Sequence, residues 1–296
     1  METNSLASLR PAAIRDGANP PQLPPASIVI PGLVLLVAFV IPLILLFRAS
    51  FASSDAPQLW MGFTLDQYRA LASPVVIRAT WNAVYLAIIV SFAALVVAYP
   101  LAWLLAQMSR RAQTLWLILI LTTLSLSDVL VTFSWQVLLS RNLWLYGMLR
   151  AAGMIDASAS LTPSFGAAVC CVLYVAIPFS VMILYPALSR LDRQLLEAAR
   201  TMGAKPWRVF VSVVIPCTRS AIGIVLILDC MLTFGAYVMP LVLGRPRDWT
   251  LAVLISDAAL NTDNLPGAAA LAVAMLAVTG AVAAAMWLLT RARRQA

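Results

Sequence analysis

Residues 188–244 read LSRLDRQLLEAARTMGAKPWRVFVSVVIPCTRSAIGIVLILDCMLTFGAYVMPLVLG. The first half is the only long run between apolar stretches that is dense in charge, with Arg190, Asp192, Arg193, Glu197, Arg200, Lys205 and Arg208. Over 191–202 every residue suits a helix, and Leu195, Ala198, Ala199 and Met202 fall at i, i+3, i+4 and i+7 on one face. Gly203 suits the left-handed position that ends a helix. Pro206 suits the first position of the next helix, where a missing N–H costs nothing. The pattern predicts a short helix, a turn and a second short helix on a polar loop, 189–214, between two membrane spans. An amphipathic helix lying on the bilayer surface would share much of this pattern.

The rest of the chain supplies the spans. Of 296 residues, 62% are hydrophobic and 11% charged, and the mean hydropathy is +0.92. A water-soluble domain of this length cannot hide so much apolar surface, so the solvent is a bilayer. The net charge of +8 would suit a nucleic-acid partner, but the basic residues cluster at span ends, which is the pattern of cytoplasmic loops. No nucleic acid is therefore expected, only membrane lipid. The chain has no histidine, which removes the commonest general base and metal ligand and with them the serine triad. No GxxxxGK[ST] phosphate loop occurs, so the chain is not expected to hydrolyse ATP. No metal, cofactor or catalytic residue is expected. Cys170, Cys171, Cys217 and Cys230 lie in or beside apolar runs without CxxC spacing, and are expected to be free, buried thiols.

The apolar runs predict an all-α polytopic membrane protein with six transmembrane helices. Residues 1–27 are polar and proline-rich and read as a mobile cytoplasmic tail. The spans fall at about 28–47, 81–106, 115–139, 165–188, 215–243 and 268–289, making 28–290 one permeation domain, and 291–296 is a basic cytoplasmic tail. A cleaved signal peptide competes for the first run, whose length speaks against it. Trp60, Phe63, Tyr68, Trp144 and Tyr146 suit the interface on the exterior side. Lys and Arg divide twelve (Arg10, Arg15, Arg110, Arg111, Arg190, Arg193, Arg200, Lys205, Arg208, Arg291, Arg293, Arg294) against seven (Arg48, Arg69, Arg78, Arg141, Arg150, Arg245, Arg247), with Arg219 left near the inner end of the fifth span. The richer side is the cytoplasm. Both termini and the charged loop therefore face inward.

With topology set, the charged loop can be compared with known families. Glu197-Ala198-Ala199, Gly203, Val213 and Ile215-Pro216 together resemble the EAA loop of the inner-membrane permease subunits of binding-protein-dependent ABC importers. Val213 and Ile215 stand where that family usually has Ile and Leu. Tyr237-Val238-Met239-Pro240-Leu241-Val242-Leu243-Gly244, Leu265-Pro266-Gly267-Ala268-Ala269 and Ile177-Pro178-Phe179 resemble further segments of the same family. The resemblance covers nearly everything beyond about residue 81 and is strongest to the polyamine (spermidine/putrescine) and ferric-ion groups. It implies a type I ABC importer permease of the bacterial inner membrane, working by alternating access. It further implies two cytoplasmic ABC ATPase subunits, a second permease subunit, identical or not, and a periplasmic solute-binding protein. Glu197, Ala198, Ala199, Gly203, Ala204 and Pro216 would form the ATPase-coupling loop. Glu197 would make a charged contact, Ala198 and Ala199 would permit close approach, and Gly203 would set the turn. The solute would be a polyamine or other small cation. A permease for ferric ion or another small solute is an alternative, and so is a secondary transporter that couples to ions through its intramembrane carboxylates. A membrane enzyme has no nucleophile–base set to work with.

Asp128 and Asp229 depart from the family pattern, and each lies inside a predicted span. A charge at the bilayer centre costs at least about 2.5 kcal/mol, so it normally faces a cavity or a partner. Asp128, Asp229, Trp135 and Tyr237 are therefore the candidates for the translocation pathway. Each has a structural reading too. Asp229 can tie helices, Asp128 can cap a break in its helix, and Trp135 and Tyr237 can belong to the interfacial belt.

Overall fold

Helix is the only regular structure among residues 25–53, 62–141, 144–153 and 161–295, which the computed structural model describes. A backbone inside a bilayer has no water to bond, so a spanning segment must satisfy itself as helix. The proline-rich stretch 1–24, Trp60 and Ala296 lie outside the described residues. The chain divides into two compact units, 1–45 and 46–296. Helix α1 (Pro25–Ser50) runs through the first unit and ends in the second. Its 26 residues extend about 39 Å, enough for a hydrocarbon core of about 30 Å.

The second unit begins with α2 (Asp66–Ala70) and α3 (Pro74–Gln107). α3 has 34 residues, about 51 Å, so one end must stand clear of the hydrocarbon. Its buried face carries a ladder of small side chains: Ala79, Ala83, Ala87, Ser91, Ala94, Ala98 and Ala102. Steps of three and four residues keep all of them on one side of the helix, and small residues let neighbouring helices approach closely. α7 (Phe165–Ser189) and α11 (Arg219–Gly235) pack against α3 and against each other. This trio is the core. Leu86, Val90, Cys171 and Val172 fill one half of it, and Val181, Leu184, Val214 and Val225 fill the other.

Among the described residues, four helical stretches are long and apolar enough to span, and up to six if two bent pairs each count as one. The bent pairs correct the expected continuous third and fifth spans. The third is α4 (Arg110–Leu124) followed by α5 (Asp128–Leu138), which turns by 91°. The hydroxyls of Thr122, Thr123 and Ser125 each donate to the carbonyl four residues back. Such bonds weaken the helix ladder and bend it. The fifth bends by 72° at Thr218, and the membrane helix proper is 219–235.

The ends of other elements differ as well. The turn before α4, expected to face the interior over 107–113, is only two residues, Met108 and Ser109. The stretch 140–164, expected to be an exterior loop, contains α6 (Trp144–Ala151). Beyond α11 the chain forms α12 (Val238–Leu243), where the fifth span was expected to continue, and, after a 3-10 turn at Pro246–Asp248, the apolar α13 (Leu251–Leu260), where plain exterior loop was expected. α14 (Leu265–Gln295) continues through the expected basic tail, so Arg291, Arg293 and Arg294 are helical. Cys171 and Cys230 are buried, but Cys170 and Cys217 are exposed. The outside of a span meets lipid, so an apolar thiol needs no interior there.

One set of helix ends is strapped together. Asn82 on α3 donates to the carbonyls of Arg247 (2.9 Å) and Trp249 (3.1 Å). The Ser164 N–H bonds to the Leu243 carbonyl (2.8 Å), and Arg245 Nε to that of Pro163 (2.9 Å). Gly244 closes α12 where a Cβ would lie 2.5 Å from the Pro240 carbonyl oxygen, so no larger residue fits without moving the backbone.

Candidate functional site

The charged loop folds into the expected helix, turn and helix. α8 spans Arg193–Thr201 and α9 spans Pro206–Val209, with Pro206 at its start. Asp192 Oδ1 accepts the Gln194 N–H at 2.9 Å, satisfying one of the unpaired donors at the start of α8. Gly203 takes φ +82°, the left-handed region that L side chains enter only at a cost. The Ala204 N–H returns to the Ala199 carbonyl at 3.2 Å, closing the turn.

The face of α8 differs from the expected one. Ala199 is buried and Leu196 is partly buried against the half of the core that holds Val214, but Leu195 and Met202 are exposed. Glu197 is exposed as well, on the rim of a cavity of ≈ 240 Å³ with Trp103, Gln107, Leu188 and Leu196. The side chain of Ala198 lies outside the described residues. Leu195 on α8 and Met202 just beyond its end are both apolar and open to solvent, next to charge. Trp207 is likewise exposed and stacks on Phe210 at 5.7 Å between centroids.

Below α9 the helix changes register. Phe210–Val214 is a π-turn, and α10 (Ile215–Cys217) leads to the bend at Thr218. Pro216 has no N–H for the carbonyl four residues back, and its ring crowds that turn. A π-bulge absorbs the mismatch. Pro216 itself is exposed. At the bend, the buried hydroxyls of Thr218 and Tyr99 meet at 2.5 Å, and Thr218 Oγ1 lies 2.9 Å from the Val214 carbonyl. A threonine hydroxyl has one proton, so donation to Val214 leaves Tyr99 as donor to Thr218. Phe210 packs edge-on against Tyr99 at 5.4 Å and against Trp103 at 6.1 Å.

Within the membrane the four pathway candidates separate. Asp128 is exposed at the first position of α5 and lines a cavity of ≈ 300 Å³ with Val172, Ala176, Met231, Thr233 and Met239. The unpaired N–H groups at a helix start favour a carboxylate there. Asp229 lies elsewhere. It is fully buried, and its Oδ2 accepts from Ser180 of α7 at 2.5 Å, while Oδ1 has no partner. Trp135 packs edge-on against Tyr174 at 6.1 Å, and Tyr237 sits half-exposed just before α12. Neither lines the cavity that holds Asp128.

Sequence reasoning passed over Tyr99, Gln113, Ser180 and Thr218. Gln113 is buried at the turn before α4, where its amide donates to the Ala106 (3.3 Å) and Met108 (3.1 Å) carbonyls and accepts from Tyr185 at 3.1 Å. A signal existed for each. All are polar groups within or beside apolar runs, and such groups need partners.

Comparison with known proteins agrees with the geometry. Residues 98–295 match the family model described as binding-protein-dependent transport system inner membrane component. The spermidine/putrescine transport system permease protein PotB of Escherichia coli (strain K12) is 27% identical over 264 residues, covering 89% of this chain and 96% of that protein. The inner membrane ABC transporter permease protein YdcU of the same organism is 26% identical over 267 residues, covering 81% and 84%. In fold, the chain resembles one in the crystal structure of a bacterial ABC transporter involved in the import of the acidic polysaccharide alginate. The TM-score is 0.71 at 18% identity, over 90% of this chain and 94% of that one. The family match takes in both bent pairs and the helix–turn–helix between spans, and the chain belongs to the family of inner membrane components of binding-protein-dependent transport systems.

Proposed function

We propose that this permease subunit carries a small organic cation of the polyamine class across the inner membrane, with Asp128 on the wall of its pathway. The subunit is multi-pass and non-catalytic, and ATP is hydrolysed by a partner. Its assembly would comprise two cytoplasmic ATPases, a second permease subunit and a periplasmic solute-binding protein. α8 would enter a groove of the ATPase, with Leu195 and Met202 as apolar anchors and Glu197 as a charged contact, in the manner of helix-in-groove recognition.

The observation that carries the solute reading is a carboxylate on a largely apolar cavity of ≈ 300 Å³. A solute of several methylenes bearing ammonium groups matches both properties, apolar contact along its length and charge at its ends. The relation to PotB supports the same class. Asp229, buried and bonded to Ser180, is better read as a tie between α7 and α11 than as a solute contact.

Asp128→Asn tests the proposal, because Asn keeps size and hydrogen bonding but cannot ionise. In proteoliposomes holding the complete importer, with radiolabelled spermidine as probe, we expect uptake to fall about tenfold, the loss of roughly 1.4 kcal/mol. Basal ATP hydrolysis and assembly should be unchanged. Wild-type uptake by the variant would remove Asp128 from the pathway. Uptake by the importer in the absence of ATP would favour a secondary transporter.

A further inference from the structure

We propose that Tyr99 is a positioning residue for energy coupling, which latches α3 to the segment α9–α10 so that both helices flanking the Thr218 bend move together. This rests on the reading of α8 as the ATPase-docking helix.

A bend is a place where a push can be lost. Along the chain, force applied to α8 reaches the membrane helix α11 through Thr218, where the chain turns by 72°. A freely flexing bend would absorb that displacement. Two contacts bypass it. The Tyr99 hydroxyl donates to Thr218 at 2.5 Å, at the vertex of the bend. Above it, Phe210 packs against the rings of Tyr99 and Trp103, which lie four residues apart on one face of α3. The segment between turn and bend is therefore held to α3 at both ends, by a hydrogen bond at one and by aromatic rings at the other.

The proton count makes the latch separable from the fold. Thr218 can donate to Val214 whether or not Tyr99 is present. Tyr99→Phe thus leaves no orphaned donor and keeps the ring that meets Phe210. It deletes the link across the bend and little else. A bond with merely structural value would show as lost stability. A latch would show as lost coordination between α3 and α8.

The test is a distance measurement in the complete importer, reconstituted in nanodiscs, with the four native cysteines replaced by alanine. Spin labels are placed at Leu104 on α3 and at Gln194 on α8, both exposed. Distances are read without nucleotide and after trapping with ATP and vanadate, so no solute is needed. With Tyr99 and Thr218 intact, the distance distribution should stay narrow and unchanged on trapping. In Tyr99→Phe and Thr218→Val it should broaden and shift on trapping, and Thr218→Ser should restore the intact behaviour. ATP hydrolysed per spermidine taken up should rise about fivefold in the first two variants, the factor that one ordinary hydrogen bond represents. The latch is refuted if Tyr99→Phe keeps the distribution of the intact protein, or if the intact protein itself shows a shift. The docking reading is tested separately, by cysteine cross-linking of position 197 to the ATPase. Absence of that cross-link refutes docking whatever the spin labels report.

Discussion

Gly203 carries more of the proposed coupling than its size suggests. Its φ of +82° is open to L residues only at a cost of about 1–2 kcal/mol, yet an added Cβ would meet nothing within 4 Å. The constraint is therefore conformational rather than steric. That separates two substitutions of similar bulk. Asn enters the left-handed region with comparative ease, and a β-branched residue does not. We expect Gly203→Asn to retain most of the ATP hydrolysis stimulated by loaded solute-binding protein, and Gly203→Val to lose most of it. Both should insert in the membrane at wild-type levels. Equal activities would mean that the turn is not what the loop needs from this position. Gly203 was legible in the sequence because a glycine between a helical pattern and a proline marks the end of a helix. Tyr99 and Thr218 were not, since nothing in one dimension brings together two hydroxyls 119 residues apart.

Between elements, polar bonds do what apolar packing cannot. Lipid tails are as apolar as leucine, so burial alone gives spans little reason to prefer each other. The bond from Ser180 to Asp229 joins α7 and α11 at full burial. Asp229→Asn preserves an acceptor for Ser180, whereas Ser180→Ala leaves a buried carboxylate without its donor. We predict that Ser180→Ala lowers stability by about 1–3 kcal/mol, read as an earlier thermal transition of the purified complex, and that Asp229→Asn transports at close to the wild-type rate. If Asp229→Asn assembles but does not transport, charge at this site serves the solute and the tie is secondary. Element boundaries were legible where composition changes abruptly, as at Phe165 and Pro206, whereas the start of α3 at Pro74 lies ahead of the expected start at about 81. They were hidden where apolar sequence runs through a bend. Hydropathy is blind to the direction of the backbone, so 115–139 and 215–243 each read as one rod. Asp128 and Ser127 marked the first break, and capping was open as a reading of it. The second break follows from Pro216 and a register shift that no hydropathy scale records.

For the molecule as a whole, sidedness rests on the distribution of Lys and Arg. Single cysteines introduced at Arg200 and at Asp248, in a background without native cysteines, should react from opposite sides of the membrane. Position 248 should label with an impermeant reagent in intact cells, and position 200 only after permeabilisation. Labelling from one side alone would remove the six-span arrangement with inward termini. The trio α3, α7 and α11 was foreseeable as spans, but its packing order was not, because every apolar helix looks equally fit to be central. What distinguishes α3 is the ladder of alanines on its buried side, and the ladder bears on how inherited variants of this protein should be judged. Alanine to leucine counts as conservative on any hydropathy scale, and on the lipid-facing side, at Phe92 or Val96, an exchange among apolar residues is harmless. At Ala83, Ala87, Ala94 or Ala98 the same exchange drives three extra carbons between helices already in contact. There only glycine, serine or cysteine is a mild change, so severity on this helix follows volume rather than polarity.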